Sequence, residues 1–151
     1  MQKTLLHILS HNGRLLEKML EQELADNGLH HGQGRILVNV KRAGEITQAD
    51  LARHMEIKPS TITNMLKPLE QRKLITRKVD PGTNRALRIS LTPAGKSACK
   101  TVEAAWERIE IRLRENLPES GMDELFQALE IIRGTLGGKD PKEHPLSKEK
   151  E

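Results

Sequence analysis

The stretch from residue 46 to residue 91 constrains the fold of this chain more than any other part: ITQADLARHMEIKPSTITNMLKPLEQRKLITRKVDPGTNRALRISL. Apolar residues recur at helical spacing in two segments of its first half, separated by a turn at Ile57. Two short strand-like runs follow, joined by Asp80-Pro81-Gly82, residue types that favour a hairpin turn. Two helices, a turn and a basic hairpin predict a winged helix-turn-helix, a fold that places its second helix in the major groove of DNA.

Local signals mark where the predicted helices begin. Thr47 is a hydroxyl residue three positions before Asp50, a pattern close to a capping box. Pro59 suits the first position of the second helix, where its missing N–H costs no hydrogen bond. With an earlier helix expected from about residue 33, the predicted DNA-binding region covers residues 33–91.

Long helices flank this region and are expected to pair two copies of the chain. Residues 1–27 are predicted to form one helix with a weak point at Gly13. A long connecting helix is expected over residues 92–117, a last helix over residues 118–137, and a disordered tail over residues 138–151. The first and last helices form the predicted dimer interface, with Leu5, Leu9, Met122, Leu125, Leu129, Ile132 and Leu136. The predicted fold class is therefore mainly α, with a two-stranded β wing and dimerisation helices at both ends.

Charge is distributed unevenly along the chain. The net charge is +4, but residues 47–90 contain nine lysines and arginines against four acidic residues, a local charge of +5. Residues 94–136 contain six basic and eight acidic residues, a local charge of −2. The middle of the chain is therefore suited to a polyanion. Since Phe126 and Trp106 are the only aromatic residues, binding through stacked single-stranded bases is disfavoured.

Several function classes lack support in the sequence. Cys99 is the single cysteine, which excludes an internal disulfide and favours a reducing compartment. No apolar run reaches membrane-spanning length, so a cytoplasmic location without a membrane partner is expected. The Gly32-Gln33-Gly34 run lacks the strand and third glycine of a dinucleotide site, and no cofactor or catalytic activity is predicted.

The second helix of the motif is predicted to contact DNA bases. Short polar side chains near its N-terminus can approach base edges without holding the helix out of the groove. The residues of this type, with a lysine one turn later, are Ser60, Thr61, Thr63, Asn64 and Lys67. Asn64 is the candidate for a bidentate contact with adenine. The alternative is a solvated polar face on a protein-binding winged helix.

The hairpin is predicted to add minor-groove and phosphate contacts. Arg85 follows the tight turn, where an arginine can enter a narrow A·T-rich minor groove. Lys58, Arg77, Lys78 and Arg88 are expected to contact phosphates, setting affinity and its salt dependence. Thr47 and Asn84 complete the predicted DNA-binding set. The alternative is a hairpin whose charges serve solubility alone.

The chain resembles the MarR family of transcriptional regulators from the first helix to about residue 136. The resemblance rests on Thr47-Gln48-Ala49-Asp50-Leu51-Ala52, Pro59-Ser60-Thr61-Ile62-Thr63, Leu69-Glu70, Leu74-Ile75, Asp80 with Arg85, and Leu91-Thr92-Pro93-Ala94-Gly95. It implies an obligate dimer with interlocked end helices and a palindromic operator. It also implies that an anionic or phenolic effector, an oxidant or a metal weakens DNA binding.

Three positions depart from the family pattern. The family usually has an acidic residue at the position of Thr83, so the partner of a wing-tip salt bridge with Arg85 is absent. It usually has glycine at the position of Lys73, so this lysine must adopt a strained turn or end the helix differently. It often has serine or threonine at the position of Lys58, which is a weaker cap but adds a positive charge.

Candidate sensing residues are few. His7 and His11 lie four positions apart on a helix, a spacing that can bind a transition metal. They are the candidate effector residues, although exposed or pocket-lining histidines are the simpler interpretation, and no metal site is predicted. For Cys99, a half-buried unreactive thiol is favoured over an oxidation switch.

These observations predict a sequence-specific double-stranded DNA-binding regulator. It is expected to act as a ligand-responsive repressor that binds a palindromic operator as a homodimer. Two other classes remain as alternatives: an architectural DNA binder without sequence preference, and a winged-helix protein-interaction module.

Overall fold

The structure is a computed structural model that describes residues 4–83 and 85–138. Its elements are α1 (Leu5–Ala25), α2 (His31–Ala43), β1 (Glu45–Thr47), α3 (Gln48–His54), α4 (Pro59–Gln71), β2 (Ile75–Val79), β3 (Leu87–Leu91), α5 (Pro93–Glu115) and α6 (Met122–Thr135). The predicted fold class, mainly helical with a winged helix-turn-helix, is confirmed. The predicted tail beyond residue 138 lies outside the described residues, as does Asn84.

The capping residues act as their positions in the sequence suggest. The Thr47 hydroxyl accepts a hydrogen bond from the backbone N–H of Asp50 at 3.1 Å, and α3 begins directly after Thr47. The Thr92 hydroxyl accepts from the N–H of Gly95 at 2.9 Å and caps α5 in the same way. The first helix continues through Gly13, as predicted. This glycine is exposed within the continuous helix Leu5–Ala25.

The sheet has one more strand than the sequence suggests. The predicted hairpin is present as β2 and β3, and β1 pairs with the other edge of β3 to give the order β1-β3-β2. All pairings are antiparallel, with Ile46 opposite Ile89 and Ile75 opposite Leu91. The short strand ties the start of the helix-turn-helix to the wing, so the two parts of the predicted DNA-binding region share one framework.

The core lies between α2, the helix-turn-helix, the sheet and the first half of α5. Its fully buried side chains include Ile36, Leu37, Val40, Leu51, Ile62, Leu66, Leu69, Ile89 and Val102. Within α1 only Leu24 is buried, and α6 contains no buried residue. The winged region therefore has its own core, whereas the described end helices leave most of their apolar surface in solvent.

Two non-glycine residues adopt left-handed backbone conformations at the ends of the motif helices. Glu56, after α3, has φ 55°, and Lys73, after α4, has φ 56°. The residue after each one donates a backbone hydrogen bond to the last turn of the helix. For Lys73, the N–H of Leu74 donates to the carbonyl of Leu69 at 2.9 Å. The strained turn expected at Lys73 is thus present.

Candidate nucleic-acid interface

The outward face of α4 is polar and cationic. Ile62, Leu66 and Leu69 are fully buried, so the residues between them at helical spacing face solvent. The exposed residues of the predicted base-contacting set are Ser60, Thr61, Asn64 and Lys67. At the start of the helix Lys58 is exposed and its side chain makes no capping hydrogen bond, as expected of a weak cap.

Thr63 differs from the rest of this set. Its hydroxyl donates to the backbone carbonyl of Pro59 at 2.8 Å and accepts from Nε2 of Gln48, also at 2.8 Å. The side chain is only partly exposed. Sequence alone groups Thr63 with the free polar side chains, because the contact from α3 depends on how the two helices cross.

The hydroxyl of Thr47 is also engaged within the protein. Besides capping α3, it donates to Oδ2 of Asp50 at 2.7 Å. Asp50 in turn pairs with Arg53 at 2.9 Å. The structure therefore gives Thr47 a capping role, and its DNA contact stays a prediction.

Two of the four predicted phosphate contacts are held in ion pairs. Arg77 donates from Nε to Oε2 of Glu70 at 2.9 Å, and its side chain is only 18% exposed. The hydrogen bonds from Arg77 lower the pKa of the Glu70 carboxyl. Arg88 lies 3.2 Å from Asp80 and 3.3 Å from Glu45. Phosphate binding by either arginine would compete with these acidic partners.

The hairpin tip is stabilised without the acidic residue that the family usually has at position 83. Asp80 is largely buried, and its carboxylate accepts from the N–H of Gly82 at 3.1 Å. That hydrogen bond, followed by the one from Arg88, lowers the pKa of Asp80. The Thr83 hydroxyl accepts from the N–H of Ala86 at 3.2 Å. Asp80 pairs with Arg88, and Arg85 has no ionic partner within the part of the chain that the structure describes.

The other cations of the predicted DNA-binding set are exposed on α4, at its N-terminal cap and on the wing. Among the described residues, none of them has an ionic partner: Lys58, Lys67, Lys78 and Arg85. Arg85 borders an open groove between the start of α3, the start of α4 and the hairpin, and Gln48 and Pro59 also line it. The structure thus brings the wing tip and the recognition helix to one surface.

Another contact joins this surface to the N-terminal helix. Arg72, which caps the C-terminal end of α4, donates to the carbonyl of Gly28 at 2.6 Å and to that of Asn27 at 2.8 Å. Asn27 and Gly28 lie in the turn that follows α1. The sequence does not reveal this link, because Arg72 looks like one more cation of the basic segment.

The predicted dimer-interface residues lie on exposed or partly exposed surface. Leu5, Leu125, Leu129 and Leu136 are 61%, 37%, 44% and 78% exposed. The partly buried members are Leu9, Met122 and Ile132. Other exposed apolar residues on α1, α6 and the end of α5 were not in the predicted interface: Leu6, Ile8, Leu15, Leu16, Ile111, Leu113, Phe126 and Ile131.

The candidate sensing residues are not gathered into a site. The rings of His7 and His11 stack with centroids 6.0 Å apart on exposed surface. Within the described residues, no group of three metal-ligating side chains occurs. Cys99 is fully buried, and burial followed by the charge of Glu103 raises the pKa of its thiol. This environment suits the unreactive thiol that the sequence favours.

These elements define a winged helix-turn-helix protein with a polar, cationic recognition helix. The family model of the MarR family matches residues 29–87. The HTH-type transcriptional repressor MdtR of Bacillus subtilis (strain 168) is 31% identical over 118 residues, which covers 78% of this chain and 74% of that protein. This chain belongs to the MarR family, as its sequence motifs suggest. The HTH-type transcriptional repressor Rv2887 of Mycobacterium tuberculosis is 24% identical over 126 residues, covering 83% of this chain and 91% of that one.

Solved structures share the fold. The S. aureus MepR–DNA complex has a TM-score of 0.82 at 23% identity and covers 89% of this chain and 99% of that chain. Apo MarR from E. coli has a TM-score of 0.74 at 19% identity, covering 87% of this chain and 98% of that chain. No described helix of the present chain is both long and apolar enough to cross a membrane.

Proposed function

We propose that this chain is a transcriptional repressor that binds a palindromic double-stranded operator as a homodimer. The observation that carries the proposal is the exposed set of polar and cationic side chains on α4 and at its N-terminal cap: Lys58, Ser60, Thr61, Asn64 and Lys67. The major groove of DNA admits an α-helix, so polar side chains on its exposed face can contact base edges. Lysines beside them can contact phosphates. Lys78 and Arg85, which are exposed and have no ionic partner in residues 4–83 and 85–138, extend this surface along the wing.

The comparisons support the same function. The similar MepR structure contains DNA, and a mutant MarR from E. coli, with a TM-score of 0.71, is bound to operator DNA. Two recognition helices in a dimer would contact half-sites about 10 bp apart. The phosphates would be contacted by Lys58 and Lys78. They would also be contacted by Arg77 and Arg88, each of which would exchange its acidic partner for a phosphate. The minor groove would be approached by Arg85 and Asn84.

Selection of genomic fragments by the purified full-length chain tests this function. We expect enrichment of a palindromic sequence and a shift of that fragment that survives excess competitor DNA. An Asn64→Ala variant should lose preference at one base pair of each half-site, whereas Gln71→Ala, at the end of α4, should not. Binding of all fragments alike would instead indicate an architectural protein, and the absence of salt-sensitive DNA binding would indicate a protein-interaction module.

The apolar surfaces of α1 and α6 support the homodimer. Both helices expose several large apolar side chains to solvent, among them Leu5, Leu6, Phe126 and Ile131, and an exposed apolar surface of this kind is typical of a protein–protein interface. Sedimentation equilibrium should show a dimer. Leu129→Glu should shift it towards monomer, whereas Val79→Glu, at an exposed apolar residue of the wing, should leave the dimer intact. A monomeric wild-type chain would contradict the proposal.

A small-molecule effector would bind between α1 and the winged region. Nδ1 of His31 and Nε1 of Trp106 are buried without a hydrogen-bond partner among the described residues, and their rings lie 6.5 Å apart. A phenolic or anionic group that accepts a hydrogen bond from the Trp106 N–H would satisfy this donor. Burial is the main cause that lowers the pKa of His31, which favours its neutral form.

The contact of Arg72 with the turn after α1 provides a route from that site to the recognition helix. An effector that displaces α1 would change the separation of the two recognition helices and favour dimers that cannot bind the operator. Phenol and benzoate serve as probes: one of them should raise the melting temperature and weaken operator binding. Trp106→Phe should abolish both effects, and a chain insensitive to both probes would contradict this part of the proposal.

Because its proposed partner is genomic DNA, we place the protein in the cytoplasm. Such a regulator performs no catalytic step, and its activity consists of competing binding equilibria.

A further inference from the structure

We propose that Gln48 is a positioning residue that makes Thr63 contact DNA through its methyl group instead of its hydroxyl. This inference rests on the proposed operator binding. Gln48 is the first residue of α3, and its amide reaches across the turn to the recognition helix. It is therefore a direct side-chain link between the two helices of the motif close to the base-contacting surface.

The hydrogen-bonding capacity of Thr63 is largely used within the protein. A threonine hydroxyl has one proton, and here that proton is donated to the carbonyl of Pro59 at 2.8 Å. Nε2 of Gln48 occupies an acceptor position on the same oxygen at 2.8 Å. While these bonds persist, Thr63 cannot donate to a base or a phosphate.

Apart from the second lone pair of the hydroxyl oxygen, which can only accept, the group of Thr63 that remains free for contact is its methyl. Thr63 lies at the edge of the outward face of α4, partly exposed, near the exposed Ser60 and Lys67. In the major groove, thymine presents a C5 methyl group, and the methyl of threonine is a suitable apolar partner for it. By engaging the hydroxyl, the Gln48 amide thus favours an apolar contact between Thr63 and a base, although a threonine at this position suggests a polar contact.

The cost of the arrangement also points to a role in recognition. Oε1 of Gln48 is buried without a hydrogen-bond partner among the described residues. A buried unsatisfied carbonyl lowers the stability of a fold, so an apolar residue at this position would suit stability better. Replacement of Gln48 should therefore alter DNA preference without a matching loss of stability.

Uracil substitution in the selected operator tests the methyl contact. Replacement of each thymine in turn by uracil removes one methyl and preserves base pairing. Burial of one methyl corresponds to about a fourfold change in affinity, so one thymine per half-site should show a loss of about that size. Thr63→Val keeps a methyl and should retain this loss, whereas Thr63→Ser keeps only the hydroxyl and should bind both operators equally.

Gln48 variants test the positioning role. Gln48→Leu should reduce the uracil effect at the same thymine and broaden base preference there, while its melting temperature equals or exceeds that of wild type. Gln71→Ala is the matched control and should retain the uracil effect. A wild-type chain that selects no sequence would contradict the proposed function itself. If the wild-type chain does select a sequence, two results would overturn the present inference. One is that no loss of affinity on uracil substitution depends on Thr63, and the other is that Gln48→Leu retains that loss in full.

Discussion

A Cβ atom on Gly95 would lie 1.9 Å from the carbonyl oxygen of Leu74. The same carbonyl accepts the N–H of Thr92 at 3.1 Å, and the Thr92 hydroxyl donates to the neighbouring carbonyl of Lys73 at 2.7 Å. The first turn of α5 is thus packed directly on the backbone that leads from the recognition helix into the wing. The Leu-Thr-x-x-Gly run near residue 91 therefore has a physical explanation: threonine supplies the hydrogen bonds, and glycine permits the close approach.

Gly95→Ala should destabilise the protein. The clash involves backbone that cannot rotate away, so we expect the free energy of unfolding to fall by about 3 kcal/mol, the upper end of typical overpacking. Urea denaturation measures this change. Gly13→Ala, at a position where an added Cβ meets no atom within 4 Å, should instead raise stability by up to about 1 kcal/mol. If the Gly95→Ala variant were as stable as wild type, the close contact between α5 and the backbone of Leu74 would be contradicted.

Lys73→Gly should stabilise the protein. Lys73 has φ 56°, a conformation that is costly for a residue with a Cβ but not for glycine. After allowance for the flexibility of glycine in the unfolded chain, the free energy of unfolding should rise by about 1 kcal/mol. The matched variant Lys100→Gly, within α5, should lower it by about 1 kcal/mol. Destabilisation by both variants would exclude a left-handed turn at Lys73.

The contribution of Asp80 to stability should disappear in acid. The folded state lowers the pKa of this carboxyl from its ordinary value of 3.8, chiefly through the Gly82 N–H and then through Arg88. A lowered pKa means that the stabilisation is complete above about pH 3.8 and is lost as the pH falls below it. Wild type should therefore melt above Asp80→Asn at pH 6, with a gap that narrows below pH 4. Glu107→Gln should show no such gap.

Lys78 and Arg77 should differ in their effect on DNA binding. Lys78 is exposed without an ionic partner among the described residues, so Lys78→Ala should reduce the slope of log affinity against log salt by about one. Arg77 is paired with Glu70, so Arg77→Ala should reduce the slope by less and should also lower the melting temperature. Titrations of one operator at several salt concentrations measure both slopes. An identical loss for the two variants would mean that Arg77 leaves Glu70 on binding.

Arg85→Ala should weaken operator binding by about 1–3 kcal/mol. The side chain is exposed beside the recognition helix, so its removal should leave both the fold and the dimer unchanged. Affinity measurements and a footprint on the selected operator check the first point, and sedimentation checks the second. The control variant Arg112→Ala, near the end of α5, removes the same charge away from the proposed interface and should bind the operator with wild-type affinity. Unchanged affinity and footprint for Arg85→Ala would remove Arg85 from the interface.

Sequence alone determined the parts of the fold that depend on near neighbours. The recognition helix is recognisable because Ile62, Leu66 and Leu69 repeat at the helical period and leave the polar residues on the other side. The caps at Thr47 and Thr92 depend on residues three positions away. The resemblance to the family was visible for the same reason, because its motifs are short runs or closely spaced residues such as Asp80 and Arg85.

Tertiary structure decided which residues meet across the chain. Strand β1 has three residues and no usable alternation, and it exists because β3 offers its free edge at Ile89. Local pattern also left open which predicted contacts are free for DNA. Arg77 and Lys78 are adjacent cations in the sequence, yet only the first has an acidic partner among the described residues. Thr61 and Thr63 look alike, but Gln48 engages only Thr63, because side-chain pairing depends on the distance between packed elements and not on residue type.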